Sequence, residues 1–159
     1  MIDLTGKVAL ITGASRGIGR GCAEQMARCG ADVAINYRSH GDEADEVATV
    51  VRSLGRRAST FGADVSDRAA VDAMVEGAAK ELGRVDIVVA NAYYSRRQPF
   101  LDLDVDDVHR TLDVTLFGAF HVAQAGARQM VQQGEGGSIL FISSVLSFLP
   151  MPTSMPYNA

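Results

Sequence analysis

Short apolar segments rich in β-branched residues alternate with longer amphipathic segments along the chain. In the first short segment, 7–12, apolar residues follow one another directly, which is typical of a strand buried on both faces. Strands that alternate with helices require parallel crossover connections, so the pattern predicts a doubly wound α/β sheet. The predicted strands are 7–12, 33–37, 58–61, 85–90 and 138–142, and the predicted helices are 17–29, 42–54, 67–82 and 104–132.

The length and composition are those of one globular domain. The 159 residues, of which 47% are hydrophobic and 21% charged, match a usual domain size of about 150 residues and exclude intrinsic disorder. We therefore expect a single domain over residues 1–159. The formal net charge of -4 argues against a nucleic-acid partner, because such proteins neutralise phosphates with an excess of Lys and Arg.

Neither a membrane segment nor a metal site is expected. No apolar run approaches the ~20 residues that a spanning helix needs. The first residues lack the basic start and apolar centre of a secretory signal, so the cytoplasm is the expected location. The three histidines and two cysteines show no metal-ligand spacing, so no metal is predicted.

Glycines occupy the connection between the first predicted strand and the first predicted helix. At this position glycines allow a tight turn and a close approach of a diphosphate, which the N–H groups and dipole of the helix start attract. A turn that only packs helix on strand is the alternative, but strand, loop and helix occur in the order that nucleotide binding requires. The candidate contacts are Gly13, Ser15, Arg16, Gly17, Ile18 and Gly19.

The glycine spacing, G-x-x-x-G-x-G after Thr12, resembles the short-chain dehydrogenase/reductase family. Further segments match in order over the whole chain. Asp64-Val65 resembles the family's adenine-binding segment, and Asn91-Ala92 resembles its Asn-Ala-Gly turn. Ser144 resembles the catalytic serine, and it stands thirteen residues before Tyr157, which begins a segment similar to the Tyr-x-x-x-Lys motif.

The resemblance implies a Rossmann-like fold with strand order 3-2-1-4-5 and hydride transfer between a nicotinamide and a carbonyl or alcohol. It assigns acid–base catalysis to Tyr157 and a hydrogen bond to the same substrate oxygen to Ser144. Thr115 stands where the family has an asparagine that holds a water in a proton relay. The cofactor contacts carried over are Asp64, Val65, Asn91 and Ala92.

The end of the second predicted strand bears on the choice of nucleotide. NAD-specific sites usually place a carboxylate there for the ribose 2′-hydroxyl, and this chain has Tyr37. Arg38 and Ser39 follow, and Arg16 lies in the glycine loop, so two arginines are available for a 2′-phosphate. We therefore predict NADP(H) rather than NAD(H). Solvated loop arginines without a nucleotide role are the alternative.

The family motif would place its lysine at position 161, after the last residue of the sequence, Ala159. We therefore expect the given sequence to be a truncated part of a longer chain, with a sheet that is incomplete on its C-terminal side, because the fifth predicted strand would remain an open apolar edge if nothing followed it. A non-catalytic NAD(P)-binding module and an inactive fragment are the alternatives to an oxidoreductase.

Tyr93 replaces the glycine of the family's Asn-Ala-Gly turn, and both contact with substrate or cofactor and simple packing are open for it. The loop 145–155, with Leu146, Phe148, Leu149 and Met151, predicts an apolar wall near the site. That wall suits a ketone, a 3-oxoacyl thioester, a steroid or a sugar. The resemblance further implies a homodimer or homotetramer that pairs through the long fourth helix.

Overall fold

The computed structural model describes residues 2–158. Five parallel strands form one sheet in the order β3-β2-β1-β4-β5. The predicted fold class and strand order are therefore confirmed. The strands are β1 (Val8–Ile11), β2 (Asp32–Tyr37), β3 (Ala58–Gly62), β4 (Ile87–Ala90) and β5 (Ser138–Phe141).

Helices cover both faces of the sheet. Helices α1 and α2 pack on one face, and α3 and α5 pack on the other. Two short 3₁₀ turns, Phe100–Asp102 and Val145–Ser147, lie in the connections after β4 and β5. The helices are α1 (Gly17–Arg28), α2 (Gly41–Ser53), α3 (Arg68–Leu82), α4 (Val105–Leu112), α5 (Ala119–Gln133) and α6 (Met155–Asn158).

The fourth predicted helix differs from a single regular α-helix. A π-helical segment, Asp113–Gly118, joins α4 to α5 without a break. The prediction of one α-helix over 104–132 was therefore wrong in its centre. Each π turn holds one residue more than an α turn, so the side chains after it point in a shifted direction.

Strand β1 shows why the sequence of a central strand is continuously apolar. Val8 and Leu10 are buried with α3 and α5, whereas Ala9 and Ile11 are buried with α1 and α2. Successive side chains of a strand point to opposite faces, and helices cover both faces here, so every position needs an apolar residue.

Two buried carboxylates bind arginines at the edge where the strands begin. Asp32, at the start of β2, is 5% exposed and accepts hydrogen bonds from Arg56 and Arg57 at 2.7 to 3.1 Å. Asp86, just before β4, is 4% exposed and accepts from Arg84 and from the Val8 N–H. These contacts join neighbouring strands at the edge opposite to the site described below.

Strand β5 lies at the margin of the described sheet. Leu140, Phe141 and Ile142 are 42%, 58% and 38% exposed when only the described residues are considered. Across residues 2–158, no helix combines the length and the apolar character needed to traverse a bilayer.

Candidate active site

The glycine loop turns tightly between β1 and α1. Gly13 and Gly17 have φ angles of 61° and 58°, in the left-handed region that favours glycine. A Cβ on Gly19 would collide with the Gly13 carbonyl oxygen and lie 2.6 Å from Asn91 Nδ2. The loop therefore requires glycine for its backbone conformation at two positions and for close packing at the third.

The start of α1 is open to a ligand. Arg16 is the N-cap residue, and its side chain makes no capping hydrogen bond, while the first turn of α1 holds no acidic residue. A Cβ built on Gly17 would meet no atom within 4 Å. The first N–H groups of a helix lack intrahelical acceptors and lie at the positive end of its dipole, so this open space fits the diphosphate of a dinucleotide.

Asn36 holds the glycine loop against the ends of two strands. Its Oδ1 accepts the Gly13 N–H at 3.2 Å, and the two N–H groups of its Nδ2 are shared among the carbonyl oxygens of Tyr37, Phe61 and Ala63 at 3.0 to 3.2 Å. The Asn36 carbonyl also accepts the Ala14 N–H at 2.8 Å. One buried amide thus fixes the relative position of three chain segments.

The segment after β4 is tied to the same loop. Asn91 Nδ2 donates to the carbonyl oxygens of Thr12 and Gly13 at 2.8 and 3.2 Å. The backbone N–H groups of Asn91 and Ala92 donate to Thr12 Oγ1 at 3.0 and 3.1 Å. These bonds place Ala92 and the residues after it beside the glycine loop.

Asp64 follows β3 and is already engaged within the protein. Its carboxylate accepts hydrogen bonds from Arg110 at 2.5 Å and from Ser66 at 2.7 and 3.0 Å. Burial favours the neutral acid, but the bonds from Arg110 and Ser66 outweigh burial and lower the pKa of the carboxyl. Asp64 is therefore an ionised acceptor, and an adenine amino group would share it with Arg110.

Thr115 lies in the π-helical segment and contacts the segment after β4. The Tyr94 N–H donates to Thr115 Oγ1, and that hydroxyl donates to the Tyr94 carbonyl, each at 3.2 Å. A hydroxyl has one proton to donate, so Thr115 has only acceptor capacity left for a water. Its observed contacts connect the π-helical segment to the end of β4.

Ser144 and Tyr157 follow β5. Ser144 is the N-cap residue of the turn Val145–Ser147, where its Oγ accepts the Leu146 N–H at 3.2 Å. Its hydroxyl proton remains available to a substrate oxygen. Tyr157 lies in α6, which packs against that turn. The ring centroid of Tyr157 is 5.6 Å from that of Tyr93, with an angle of 56° between the planes.

The residues expected to select the nucleotide surround the end of β2. The Tyr37 ring packs closely against two glycines, since a Cβ on Gly41 or Gly62 would lie 3.1 or 3.2 Å from it. Arg38 and Ser39 follow and are exposed, as is Arg16 at the start of α1. At the end of β2 the site therefore has exposed arginines, and no carboxylate directly follows this strand.

An apolar cleft of about 550 Å³ adjoins α6. Of the residues expected to form an apolar wall, Met151 lines this cleft, whereas Phe148 and Leu149 are 85% and 73% exposed. Tyr157 does not line it. The lining residues are Phe100, Pro150, Met151, Pro152, Met155 and Asn158.

The sequence-predicted site residues share one edge of the sheet, because each group follows the carboxyl end of a parallel strand or contacts a segment that does. That edge is where open α/β sheets bind their ligands. In strand order from β1 to β5 the groups are Gly13 to Gly19, Arg38 with Ser39, Asp64 with Val65, Asn91 with Ala92, and Ser144 with Tyr157. Thr115 joins the β4 group through Tyr94.

The sequence analysis missed two residues of this edge, Asn36 and Arg110. Asn36 is a lone amide in an otherwise apolar strand, and a buried polar group of this kind needs hydrogen-bond partners. That signal was sufficient to single it out. No local signal relates Arg110 to Asp64, because they are 46 residues apart and meet only in the fold.

Comparisons with known proteins agree with this geometry. The family profile described as short chain dehydrogenase matches residues 7–159. The chain is 45% identical over 142 residues to L-rhamnose 1-dehydrogenase (NAD(P)(+)) of Sphingomonas, a match covering 89% of this chain and 56% of that protein. The chain spans 54% to 62% of the length of the curated relatives it matches.

Two crystal structures are similar throughout the described fold. A short-chain type dehydrogenase/reductase from Mycobacterium marinum superposes with a TM-score of 0.93 at 38% identity, covering 98% of this chain and 64% of that one. A short chain dehydrogenase from Burkholderia cenocepacia in complex with NADP has a TM-score of 0.91 at 40% identity, covering 98% and 62%. With its glycine loop, parallel sheet and family match, the chain belongs to the short-chain dehydrogenase/reductase family.

Proposed function

We propose that the full-length protein is an NADP-dependent oxidoreductase that transfers a hydride between nicotinamide and a carbonyl or alcohol carbon. The observation that carries the proposal is the shared edge of the sheet. There the open start of α1 lies beside Asn91, and Tyr157 contacts Tyr93 two residues further on. A nucleotide held at α1 and a substrate held at Tyr157 would thus meet at the end of β4.

The chain's own residues supply binding and proton transfer. The start of α1 binds the diphosphate, and Asn91 keeps the glycine loop in place. Ser144 donates its hydroxyl proton in a hydrogen bond to the carbonyl oxygen, and the Tyr157 hydroxyl gives that oxygen a proton as negative charge develops on it. A nicotinamide coenzyme held at this edge would supply the hydride that the carbonyl carbon accepts. In the oxidative direction Tyr157 accepts the proton of the alcohol.

The preference for NADP(H) is part of the same proposal. Arg16 and Arg38 are exposed, and Tyr37 stands where a carboxylate would select the free ribose 2′-hydroxyl. Guanidinium groups bind phosphate through paired, charge-assisted hydrogen bonds, which suits the 2′-phosphate. The named relative that acts on a sugar with NAD(P)(+) supports a hydroxylated carbonyl or alcohol substrate.

A homodimer or homotetramer is also proposed. Leu116, Phe117 and Phe120, around the junction of the π-helical segment and α5, are 58%, 49% and 53% exposed. Clustered apolar side chains on an outer helical surface are typical of a subunit interface. Light scattering of the full-length protein would determine its oligomeric state.

The proposed function is tested with the full-length protein, by calorimetric titration with NADPH and by a panel of hydroxyketones, sugars and 3-oxoacyl thioesters. We expect binding of NADPH, turnover of at least one compound, and a higher kcat/KM with NADPH than with NADH. Tyr157→Phe should lower kcat by about 10²-fold or more, the usual contribution of acid–base catalysis. Ser144→Ala should also lower kcat, while the exposed-site control Ser53→Ala in α2 should not.

Two results would contradict the proposal in different ways. Absence of NADPH and NADH binding would remove the nucleotide site altogether. Nucleotide binding without turnover of any compound in the panel would favour the second candidate, a non-catalytic NAD(P)-binding module. A kcat/KM ratio of NADPH to NADH below one would overturn the cofactor preference alone.

A further inference from the structure

We propose that Tyr93 determines substrate specificity by closing the space beside the Tyr157 hydroxyl against bulky groups on the reacting carbon. This inference rests on the proposed function, because it takes Tyr157 as the residue that binds the carbonyl oxygen. It assigns Tyr93 contact with the substrate and predicts the size of one substituent.

The backbone on both sides of Tyr93 is held in place. The Ala92 N–H donates to Thr12 Oγ1 at 3.1 Å, and the Tyr94 N–H donates to Thr115 Oγ1 at 3.2 Å. The Cα of Tyr93 is therefore fixed between the glycine loop and the π-helical segment. A side chain on such a backbone has only its own rotamers through which to move.

The Tyr93 ring contacts Tyr157 but is not buried by that contact. The ring centroids are 5.6 Å apart with planes tilted by 56°, a favourable arrangement for two aromatic rings. Tyr93 nevertheless remains 66% exposed. Most of the Tyr93 side chain is thus not covered by other described residues, although its ring lies next to that of Tyr157.

The neighbouring tyrosine shows what a purely structural role looks like. Tyr94 packs against the buried core cluster, and its hydroxyl donates to Asp107 at 2.7 Å. Tyr93 is absent from both core clusters of the described residues. The exposed position of Tyr93 therefore fits contact with a ligand better than filling of the core.

A carbonyl whose oxygen reaches Tyr157 directs one of its two substituents past Tyr93. A phenyl group on that side would compete with the Tyr93 ring for space, whereas a methyl or hydroxymethyl group would need much less of it. The apolar cleft beside α6 is lined by neither Tyr93 nor Tyr157, so it does not open at this pair. The substrate class that follows is a carbonyl compound with a small substituent on the Tyr93 side.

The test compares two α-hydroxyketones that differ in one group on the carbonyl carbon. The methyl ketone is acetoin, and the phenyl ketone is 2-hydroxypropiophenone, each reduced with NADPH by the full-length protein. Wild type should have a higher kcat/KM for acetoin than for the phenyl ketone, and the quantity compared between variants is the ratio of these two kcat/KM values. Tyr93→Ala should shift the ratio toward the phenyl ketone by about tenfold or more, the scale on which pockets discriminate substituent size.

Three variants and one binding measurement separate specificity from structural damage. Tyr93→Phe keeps the ring and should keep the wild-type ratio. Leu101→Ala, which truncates a residue that is 93% exposed in the same connection, should also keep it. The dissociation constant for NADPH should stay within about twofold in Tyr93→Ala, because the ring is not assigned to the nucleotide.

The inference is overturned if Tyr93→Ala turns over acetoin but leaves the ratio unchanged within about twofold. It is likewise overturned if the ratio shifts equally in Tyr93→Phe, since the ring is still present there. If wild type binds NADPH and reduces neither these ketones nor any compound of the broader panel, the proposed function fails as well. The two failures are therefore distinguishable.

Discussion

Gly19 shows how closely α1 approaches the carbonyl edge of the sheet. A Cβ built on Gly19 would collide with the Gly13 backbone, and it would lie 2.6 Å from Asn91 Nδ2 and 2.9 Å from the Ala14 Cα. Backbone atoms cannot move aside as a flexible side chain does. A methyl group here must therefore push the glycine loop away from Asn91.

We expect Gly19→Ala to weaken NADPH binding by about tenfold or more and to lower the thermal midpoint, because overpacking of this kind costs about 1–3 kcal/mol. Calorimetry and thermal melts of the full-length protein measure both effects. Gly21→Ala is the matched control, since a Cβ there meets no atom within 4 Å. It should leave affinity unchanged and raise stability slightly. Equal affinities in the two variants would refute the role assigned to Gly19.

At this scale the sequence identified the residues that have a strong local pattern. The glycine triplet and the pair Ser144 and Tyr157, predicted from local spacing, lie at the same edge of the sheet, after β1 and β5. Asn36 has a local signal as a lone amide among apolar residues, but its hydrogen-bond partners, like the Asp64 partner of Arg110, lie 23 to 46 residues away. Their roles depend on which strands become neighbours, which residue patterns alone do not reveal.

Among the elements, the π-helical segment is the one that the sequence failed to predict. Apolar residues recur at helical spacing from α4 into α5. The wider turn of the π-helical segment between them therefore changes the sequence pattern very little. The predicted strands and the other long helices agree with the structure to within one or two residues, because turns and helix ends are marked by glycine or acidic residues. Within this segment, Thr115 contacts Tyr94 through two hydrogen bonds.

We expect Thr115→Val to lose both hydrogen bonds to Tyr94 while keeping the shape of the side chain. The thermal midpoint should fall by an amount equivalent to about 1–2 kcal/mol, and kcat should fall more than KM rises. Thr115→Ser should restore most of the activity, since it keeps the hydroxyl. Thr49→Val, which removes an exposed hydroxyl bonded to the Asp45 carbonyl in α2, is the control. Unchanged kcat in Thr115→Val would show that the contact is dispensable.

Across the whole molecule, the edge of the sheet where the strands begin and the edge where they end carry different kinds of side chains. The edge where the strands begin holds the arginine-bound carboxylates Asp32 and Asp86. Burial opposes ionisation of both, but hydrogen bonds from arginine and backbone N–H groups lower the pKa of each carboxyl. The opposite edge carries the glycine loop and the candidate catalytic residues.

These lowered pKa values predict a loss of stability in acid. A carboxyl whose pKa is lower in the folded state binds fewer protons there than in the unfolded state. Its contribution to the free energy of unfolding is therefore complete above the ordinary carboxyl pKa of about 4, and it is lost as the pH falls below that pKa. Asp32→Asn should lower the thermal midpoint by about 4 °C or more at pH 7. The difference in thermal midpoint between wild type and Asp32→Asn should begin to narrow as the pH falls below about 4, and it should continue to narrow toward the lowered pKa of Asp32.

Thermal melts of the full-length protein over pH 3 to 8 measure this gap, with the exposed Asp102→Asn as the control for removal of one charge. A gap that stays constant over that range would show that the Asp32 carboxylate contributes no pH-dependent stability.

The hydrogen bonds that hold the Asn36 side chain between the glycine loop and the ends of β2 and β3 affect the energetics of coenzyme binding. A loop that must be ordered when its ligand arrives loses conformational entropy at that moment, and affinity falls accordingly. Here the glycine loop adopts its binding-competent conformation when the chain folds. The loop is therefore preorganised, and little rearrangement is needed when the coenzyme binds. Association should then proceed close to the rate set by diffusion and charge.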